Sequence, residues 1–527
     1  MSQVSIKQKM ADEIGYSCPD IYNASRLLFD NISQREGSKV AVYSDAGNRT
    51  YDQLAAEANQ IGNMLLQFGV KPGDRIMLFL DDEPAYPAAI MGSMKVGCVP
   101  ILTNTLSTED AIRYMLTDSE AKAAIVSEDM QDIFSEELLV DTNCTKVVVV
   151  GEATGTRIAW EVVENASVDL EEVPTSKNDM SLWMYSSGTT GRPKGVVHRH
   201  EDLLYANTAF AQNIIKLAPG DVCYSIPKIF FAYGFGNSVM FPLAAGASAV
   251  LASGRPEPGR IFDQIAKHHP TVLFGLPTAF NTLINHEGSQ SADLSSVRLC
   301  LSAAEVLSKN IFDSWRDRFG QEIVEGLGST EMLHIYLSNT EVEKKLGSAG
   351  KRVPGYAIRL LDASGEEVPD GEEGIMEVSG ISGAETYWNR PDKTSETIRG
   401  EWLWTGDRFI RDADGFYFFK GRADDLVKVS GQWLWPHEIE MALAEHPKVR
   451  ECAVLAEEMA DARMTVVAYV VPSSSKLVGD EFSLELKNFV KQSLLPHKYP
   501  RHIHYMDKLP KTGTQKVDRQ ALKNVRA

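Results

Sequence analysis

The sequence predicts an α/β protein with a large N-terminal part made of several α/β subdomains and a small α+β domain at the C-terminus. Three observations carry this expectation. The chain has 527 residues, which suggests three or four structural units at roughly 150 residues each. Strand-like and helix-like runs alternate through its middle, an order that favours parallel sheets with helices on their faces. The pattern then changes around Gly421 to Asp425 (GRADD), so the chain is expected to divide into 1–421 and 422–527 at a polar hinge.

The elements follow in order. LWMY (182–185) and GVVH (195–198) are β-prone runs flanking a glycine-rich segment. TVLFGLP (271–277) reads as a strand and TAFNTLIN after it as a helix. VRLCL (297–301) is a further strand, and Ser308 stands where an N-cap would, before KNIFDSWRDRFG. There Ile311, Phe312, Trp315 and Phe319 share one helical stripe and Gly320 ends it, with a strand beginning at Glu322 to Val324. In the small domain Pro436 fits a helix N1 position, with Ile439, Ala442 and Leu443 on one face. Val449 to Leu455 and Met464 to Val471 read as strands. Ser483 to Leu495 reads as a helix presenting Leu486, Phe489, Val490 and Leu494. There is no internal repeat and no low-complexity tract.

Composition narrows the function. Hydrophobic residues are 43%, charged residues 24% and aromatic residues 9%, values of an ordinary globular protein rather than a disordered one. The net charge of −19 repels phosphate backbones and no basic patch offsets it, so a nucleic-acid partner is not expected. Cys18, Cys98, Cys144, Cys223, Cys300 and Cys452 show no CxxC spacing, which argues against a zinc ribbon or a disulfide framework and for a reducing compartment. The N-terminal MSQVSIKQKMADEIG has no apolar h-region. The longest apolar stretch, Val239 to Ala252, is short of the roughly 20 residues a membrane span needs. A cytoplasmic protein without a membrane partner, monomeric or homodimeric, is expected.

The most informative segment is SSGTTGRPKG, Ser186 to Gly195. Its glycines let the backbone turn tightly and approach an anion. Ser186, Ser187, Thr189, Thr190 and the backbone amides can donate to phosphate, and Arg192 and Lys194 add positive charge. Turn chemistry alone accounts for the same letters as a hairpin loop. The spacing is not a Walker A loop. Counting from Gly188, Pro193 occupies the second glycine position and Gly195 that of the Ser/Thr after the lysine.

SSGTTGRPKG closely resembles the phosphate loop of the acyl-adenylate-forming enzymes: acyl-CoA synthetases, luciferases and peptide-synthetase adenylation domains. The resemblance extends over essentially the whole chain, because the family's other motifs follow in order. It implies an adenylate-forming fold with a mobile C-terminal domain, and ATP, Mg2+ and coenzyme A (CoA) as co-substrates and cofactor. Ser186, Ser187, Gly188, Thr189, Thr190, Gly191 and Lys194 would cradle phosphate. In GLGSTE (326–331), Thr330 would bind the α-phosphate and Glu331 would hold Mg2+, while Leu327 replaces the aromatic ring that many relatives place beside adenine. Ala304 and Glu305, in SAAEVL (302–307), would lie along the adenine, Ala304 where relatives usually carry glycine. Asp407 in WLWTGD would accept from the ribose hydroxyls, with Arg422 near the same sugar. Lys516, in PKTGTQKVDR, would bridge the acyl carboxylate and the α-phosphate; Gln515 precedes it where relatives have glycine.

The implied chemistry is activation of a carboxylate by attack on the α-phosphate of ATP, then attack of a thiol on the acyl-adenylate. The resemblance implies that the C-terminal domain rotates about Asp424 between the two steps. That rotation would bring KVSGQW (428–433), with Lys428 and Gly431, to a pantetheine tunnel. Trp433 and Trp435 are bulky for that loop and fit core packing of the small domain equally well. PKIFFAYGFGN (227–237), STEMLHIYLSN (329–339) and GSAGKRVPGY (347–356) resemble the benzoate-CoA ligase branch. Phe231, Ala232, Tyr233, Ala303, Gly328, His334 and Ile335 would then line the acid pocket, the alanines and glycine leaving a flat slot for an aryl ring and His334 donating to the carboxylate. Benzoate, a hydroxy- or aminobenzoate, furoate and an alicyclic acid all remain open. A stand-alone aryl-CoA ligase is the leading expectation. A carrier-loading adenylation enzyme is the alternative, disfavoured because no carrier segment follows Ala527. A luciferase-like oxygenase and a non-catalytic nucleotide sensor fit less well.

Overall fold

The computed structural model describes residues 4–34, 37–186, 192–425, 427–429, 432–458, 464–474, 476–495, 497–511 and 517–524. Among them the strands form two large sheets and three smaller ones. One large sheet runs Thr386–Tyr387, Lys194–Arg199, Met180–Ser186, Val99–Leu102, Arg75–Phe79, Ala123–Ser127, Lys146–Val150, Ile158–Ala159. The other runs Lys351–Arg352, Ile335–Ser338, Ile323–Gly328, Leu299–Ser302, Val272–Gly275, Val222–Ser225, Ser248–Leu251, Val40–Ser44, Arg49–Thr50. Their central pairs are parallel, with antiparallel pairs toward the edges. Strands such as VLFG and LCLS are buried throughout, because helices cover both faces of a parallel sheet.

The α/β expectation holds in detail. The helix Lys309–Phe319 has Ser308 at its N-cap, whose hydroxyl accepts from Ile311 N, and Gly320 at φ +70° ends it. Trp315 is fully buried, with Ile311, Phe312 and Phe319 packed on the same cluster. Pro436 opens the helix Pro436–Ala444, and Ile439, Ala442 and Leu443 are its buried face.

Some boundaries differ: the strand expected over 271–277 ends at Gly275, and Pro277 opens the helix that follows. The helix expected from Ser483 begins at Asp480, because Gly479 at φ +102° turns the chain and Asp480 and Glu481 complement the helix dipole. The apolar stretch 239–252 divides into the end of a helix and the strand Ser248–Leu251, and no described helix is long and apolar enough to cross a membrane.

A five-stranded antiparallel sheet includes Trp402–Arg411 and Tyr417–Arg422. Beyond it, the strands Val449–Glu458, Met464–Pro472 and His502–Tyr505 and the helices Pro436–Ala444 and Asp480–Ser493 enclose a separate apolar core with Leu434, Ile439, Leu443, Leu486 and Val490. Trp435 is not part of that core. Its ring lies under Arg408 of the five-stranded sheet, with Cζ 3.4 Å from the ring centroid. The Trp433 side chain lies outside the described residues.

Candidate active site

The glycine-rich segment is the tip of a hairpin. Met180–Ser186 and Lys194–Arg199 pair antiparallel, with Ser186 opposite Lys194. Ser187, Gly188, Thr189, Thr190 and Gly191 lie outside the described residues. At the base of the tip, Ser186 Oγ is buried and meets no hydrogen-bond partner among the described residues. Lys194 Nζ lies 4.1 Å from the ring centroid of Tyr387. Burial lowers the Lys194 ammonium below its ordinary pKa; Glu331 opposes that shift, and Lys393, Arg390 and Arg422 add to it.

The second motif forms the turn between Ile323–Gly328 and Ile335–Ser338. Met332 N donates to Ser329 Oγ at 3.2 Å and Leu333 N to the Thr330 carbonyl at 3.0 Å. The same carbonyl lies 2.8 Å from His198 Nε2, while His198 Nδ1 lies 3.2 Å from Asp202 Oδ2. Ala384 N donates to the Glu331 carbonyl at 2.7 Å, and the Tyr387 hydroxyl to Glu331 Oε1 at 2.8 Å. No group of three or more His, Cys, Asp or Glu among the described residues is arranged to hold a metal. A single carboxylate with a second oxygen beyond the one Tyr387 holds suits Mg2+, which takes one or two carboxylates and completes its shell with phosphate and water oxygens.

Asp407 and Arg422 come together as cross-strand neighbours, Asp407 Oδ1 lying 3.1 Å from an Arg422 nitrogen. That nitrogen also donates to the Thr405 carbonyl at 3.0 Å. Gly406, within the strand Trp402–Arg411, has φ +73°, a left-handed conformation that favours glycine, and a Cβ there would press on the Arg422 guanidinium at 2.9 Å. Burial raises the Tyr336 phenol pKa, the charges of Asp407 and Glu331 raise it further, and Arg422 opposes them. All four side chains therefore share one electrostatic neighbourhood.

The 302–307 loop leaves the strand Leu299–Ser302 with Ala303 buried and Ala304 exposed at φ +71°. A left-handed alanine costs roughly 1–2 kcal/mol, which glycine would avoid. Glu305 Oε2 accepts from Thr278 N at 3.2 Å, in the first turn of the helix Pro277–Asn285. Leu307 N donates to Glu325 Oε1 at 3.1 Å, and burial pushes the Glu325 carboxyl up to about 8. Leu327 is half-buried opposite Leu337.

Of the expected acid-pocket residues, Phe231, Ala232 and Tyr233 open one helix and His334 packs against it. Ala232–Phe235 continues through a wider π-type segment, Gly236–Met240, into Phe241–Ala245. Such segments recur at functional sites, and here Gly236 faces His334: a Cβ on it would fall on His334 Cδ2 and lie 2.6 Å from Nε2. The Tyr233 ring is 5.5 Å from the His334 ring and 6.2 Å from Phe274, and its hydroxyl donates to the Leu301 carbonyl at 3.0 Å. His334 is 2% exposed and ringed by Phe210, Tyr233 and Phe241 at 5.2, 5.5 and 4.5 Å. Burial pushes its pKa down to about 3, opposed by the nearby Tyr233 carbonyl, yet neither ring nitrogen closes a hydrogen bond of normal geometry. Ala232, Ala303 and Ile335 are also buried, and Phe231 packs on Phe230 at 4.4 Å. Gly328 also meets a backbone requirement: its missing Cβ makes room for the backbone of His334 and Ile335, with the His334 carbonyl carbon 2.7 Å from where that Cβ would sit.

Lys516 and Gly431 lie outside the described residues. Lys428 pairs through its backbone with Trp433, and Asp424 sits in the turn Ala423–Asp425; both side chains lie outside the described set. His198 and Tyr387 are absent from the sequence expectation. Each meets a partner far away in sequence, Thr330 for His198 and Glu331 for Tyr387, and no local pattern marks such a contact.

Comparison with known proteins gives the assembly its context. The family model for AMP-binding enzymes matches residues 29–388, and that for the AMP-binding enzyme C-terminal domain matches 438–516. The benzoate–CoA ligase of Thauera aromatica is 40% identical over 509 residues, 96% of each chain. The 4-hydroxybenzoate–CoA/benzoate–CoA ligase of Rhodopseudomonas palustris is 38% identical over 514 residues, 96% of this chain and 94% of the relative. The crystal structure of the anthranilate CoA ligase AuaEII in complex with anthranoyl-AMP superposes with a TM-score of 0.91 at 32% identity, covering 96% of this chain and 98% of that one. With its two-part architecture and its hairpin, turn and strand-pair motifs in order, the chain belongs to the AMP-binding enzyme family.

Proposed function

We propose that this chain activates benzoate or a hydroxy- or aminobenzoate as its acyl-adenylate and transfers the acyl group to CoA, consuming ATP and releasing AMP and pyrophosphate. The observation that carries the reading is geometric: Tyr387 brings Lys194 of the hairpin and Glu331 of the turn onto one ring, and Asp407 pairs with Arg422 across neighbouring strands. Full-length similarity to aryl-CoA ligases supports the substrate class.

In this reading Lys194 and the hairpin donors hold the phosphates, Thr330 binds the α-phosphate, and Asp407 with Arg422 orients the ribose. Ala304 and Glu305 border the adenine. The acid enters among Phe231, Ala232, Tyr233, Ala303, Gly328, His334 and Ile335, its ring buried against Tyr233 and Ile335. The acid's carboxylate oxygen attacks the α-phosphorus as the bond to pyrophosphate breaks. Lys516 neutralises the charge that develops between them. Mg2+, held through Glu331 and phosphate oxygens, would neutralise charge on the departing pyrophosphate. The division at 421/422 belongs to the same reading, supported by the separate core of the small domain. Rotation about Asp424 then brings Lys428 and Gly431 to the CoA arm, and the thiolate displaces AMP from the acyl carbon. A cytoplasmic site of action fits the six cysteines, all free.

The test is AMP formation with ATP, Mg2+ and CoA across a panel of small carboxylic acids. Turnover with benzoate or a hydroxy- or aminobenzoate at least tenfold above that with acetate or malonate is expected. AMP formed only with aliphatic acids would overturn the substrate assignment.

A further inference from the structure

Tyr387 meets two site residues at once. Its hydroxyl donates to Glu331 Oε1 at 2.8 Å, and its ring lies under Lys194 Nζ, 4.1 Å from the centroid. The segment that carries it is tied to both motifs. Thr386 and Tyr387 register against Val197 and Val196, and Trp388 N donates to the Gly195 carbonyl at 2.8 Å. Ala384 N holds the Glu331 carbonyl at 2.7 Å, and Tyr387 N donates to Thr394 Oγ1 at 3.0 Å. Residues 384–388 therefore lace the hairpin to the Thr330–Glu331 turn.

An ammonium and a carboxylate that share one buried ring attract each other strongly. Lys194 feels the Glu331 charge. Yet among the described residues no ion pair within 4.0 Å joins them. The phenol supplies each with a substitute partner: a π face for the ammonium and a hydroxyl for the carboxylate. Direct pairing would withdraw both charges from an incoming triphosphate and its cation.

We propose that Tyr387 is a positioning residue that holds Lys194 and Glu331 apart, keeping the ammonium free for phosphate and the carboxylate free for the divalent cation that accompanies ATP. This rests on the nucleotide-activating reading above, and its test does not require turnover. Equilibrium binding of ATP to the full chain is measured by calorimetry across a Mg2+ titration and in EDTA. Tyr387→Phe keeps the ring and loses the hydroxyl, so the Mg2+ concentration at half-saturation rises about fivefold while binding in EDTA stays within twofold. Tyr387→Leu removes both substitutes, so the Mg2+ requirement rises further and binding in EDTA also weakens. Adding Lys194→Ala to Tyr387→Phe leaves nothing to pair with Glu331. The double variant therefore needs no more Mg2+ than Lys194→Ala alone, a coupling that a merely structural role would not produce. An unchanged Mg2+ titration in Tyr387→Phe, or a full fivefold loss persisting on top of Lys194→Ala, would overturn the proposal. The isosteric Tyr387→Phe pair decides the matter even if Tyr387→Leu fails to fold. Wild-type protein that binds no ATP at all would instead overturn the nucleotide-activating reading itself.

Discussion

The imidazole Nε2 of His198 lies 2.8 Å from the carbonyl oxygen of Thr330, across 132 residues of chain. With Nδ1 against Asp202, this buried ring fixes the exit of the glycine-rich hairpin to the Thr330–Glu331 turn. Leaving a buried polar partner unsatisfied costs ~1–3 kcal/mol, equivalent to roughly 5- to 150-fold if expressed in a rate. His198→Leu is therefore expected to lower kcat for adenylation within that range while the acid KM changes less than twofold. His198→Gln, which can still donate to the carbonyl, recovers part of the loss. Steady-state kinetics of both variants check this; a change confined to the acid KM would contradict it.

Gly236 and His334 fit together without spare room. In Gly236→Ala the new methyl falls on the imidazole edge, and the ring, assigned to the acid pocket in the reading above, must move. A displacement of this size can cost up to about 100-fold. The expected outcome is a benzoate KM raised about tenfold with the ATP KM unchanged. Combining it with His334→Ala removes the clash, so the double variant binds benzoate no worse than His334→Ala alone.

Glu325 gives a signed pH dependence. Its folded carboxyl titrates at about 8 against an ordinary value of 4.5, so the native state holds a proton that the unfolded state releases between those values. Stability from this group is present at low pH and is lost as pH rises from about 4.5 through 8, by a few kcal/mol in all. His334 has the opposite sign: its folded value near 3 lies below the ordinary 6.5, so stability is lost as pH falls through that interval. Urea unfolding at pH 6 and 8.5 should show Glu325→Gln gaining on the wild type at the higher pH. Parallel pH profiles for the two proteins would rule this out.

Asp424 lies in the short turn that follows the last strand of the five-stranded sheet. If this turn is the pivot, Asp424→Pro restricts rotation without touching the nucleotide. Benzoate-dependent pyrophosphate exchange should then stay within threefold of wild type while thioester formation falls at least tenfold. Equal loss in the two separate assays would remove the pivot role.

Much of this was legible in the sequence where the physics is local. Ser308, Gly320 and Pro436 mark helix ends through capping and fixed φ, and each stands where it was expected. Buried strands such as LCLS are readable as short apolar runs. What local pattern does not carry is contact between distant segments. His198 reads as one letter of a β-prone run, and Tyr387 draws no expectation at all. Their roles arise only when Thr386–Tyr387 pairs beside Lys194–Arg199 and the 329–334 turn folds over them. The reason for Gly328 was likewise hidden, since the crowding backbone of His334 and Ile335 appears only once the two strands are paired.

The most direct measurement is benzoate-dependent ATP–pyrophosphate exchange with Lys516→Ala, alongside transfer from supplied benzoyl-adenylate to CoA. Exchange reduced at least a hundredfold with transfer largely kept is the expected result. Exchange at the wild-type rate would contradict activation of the acid by this chain as described.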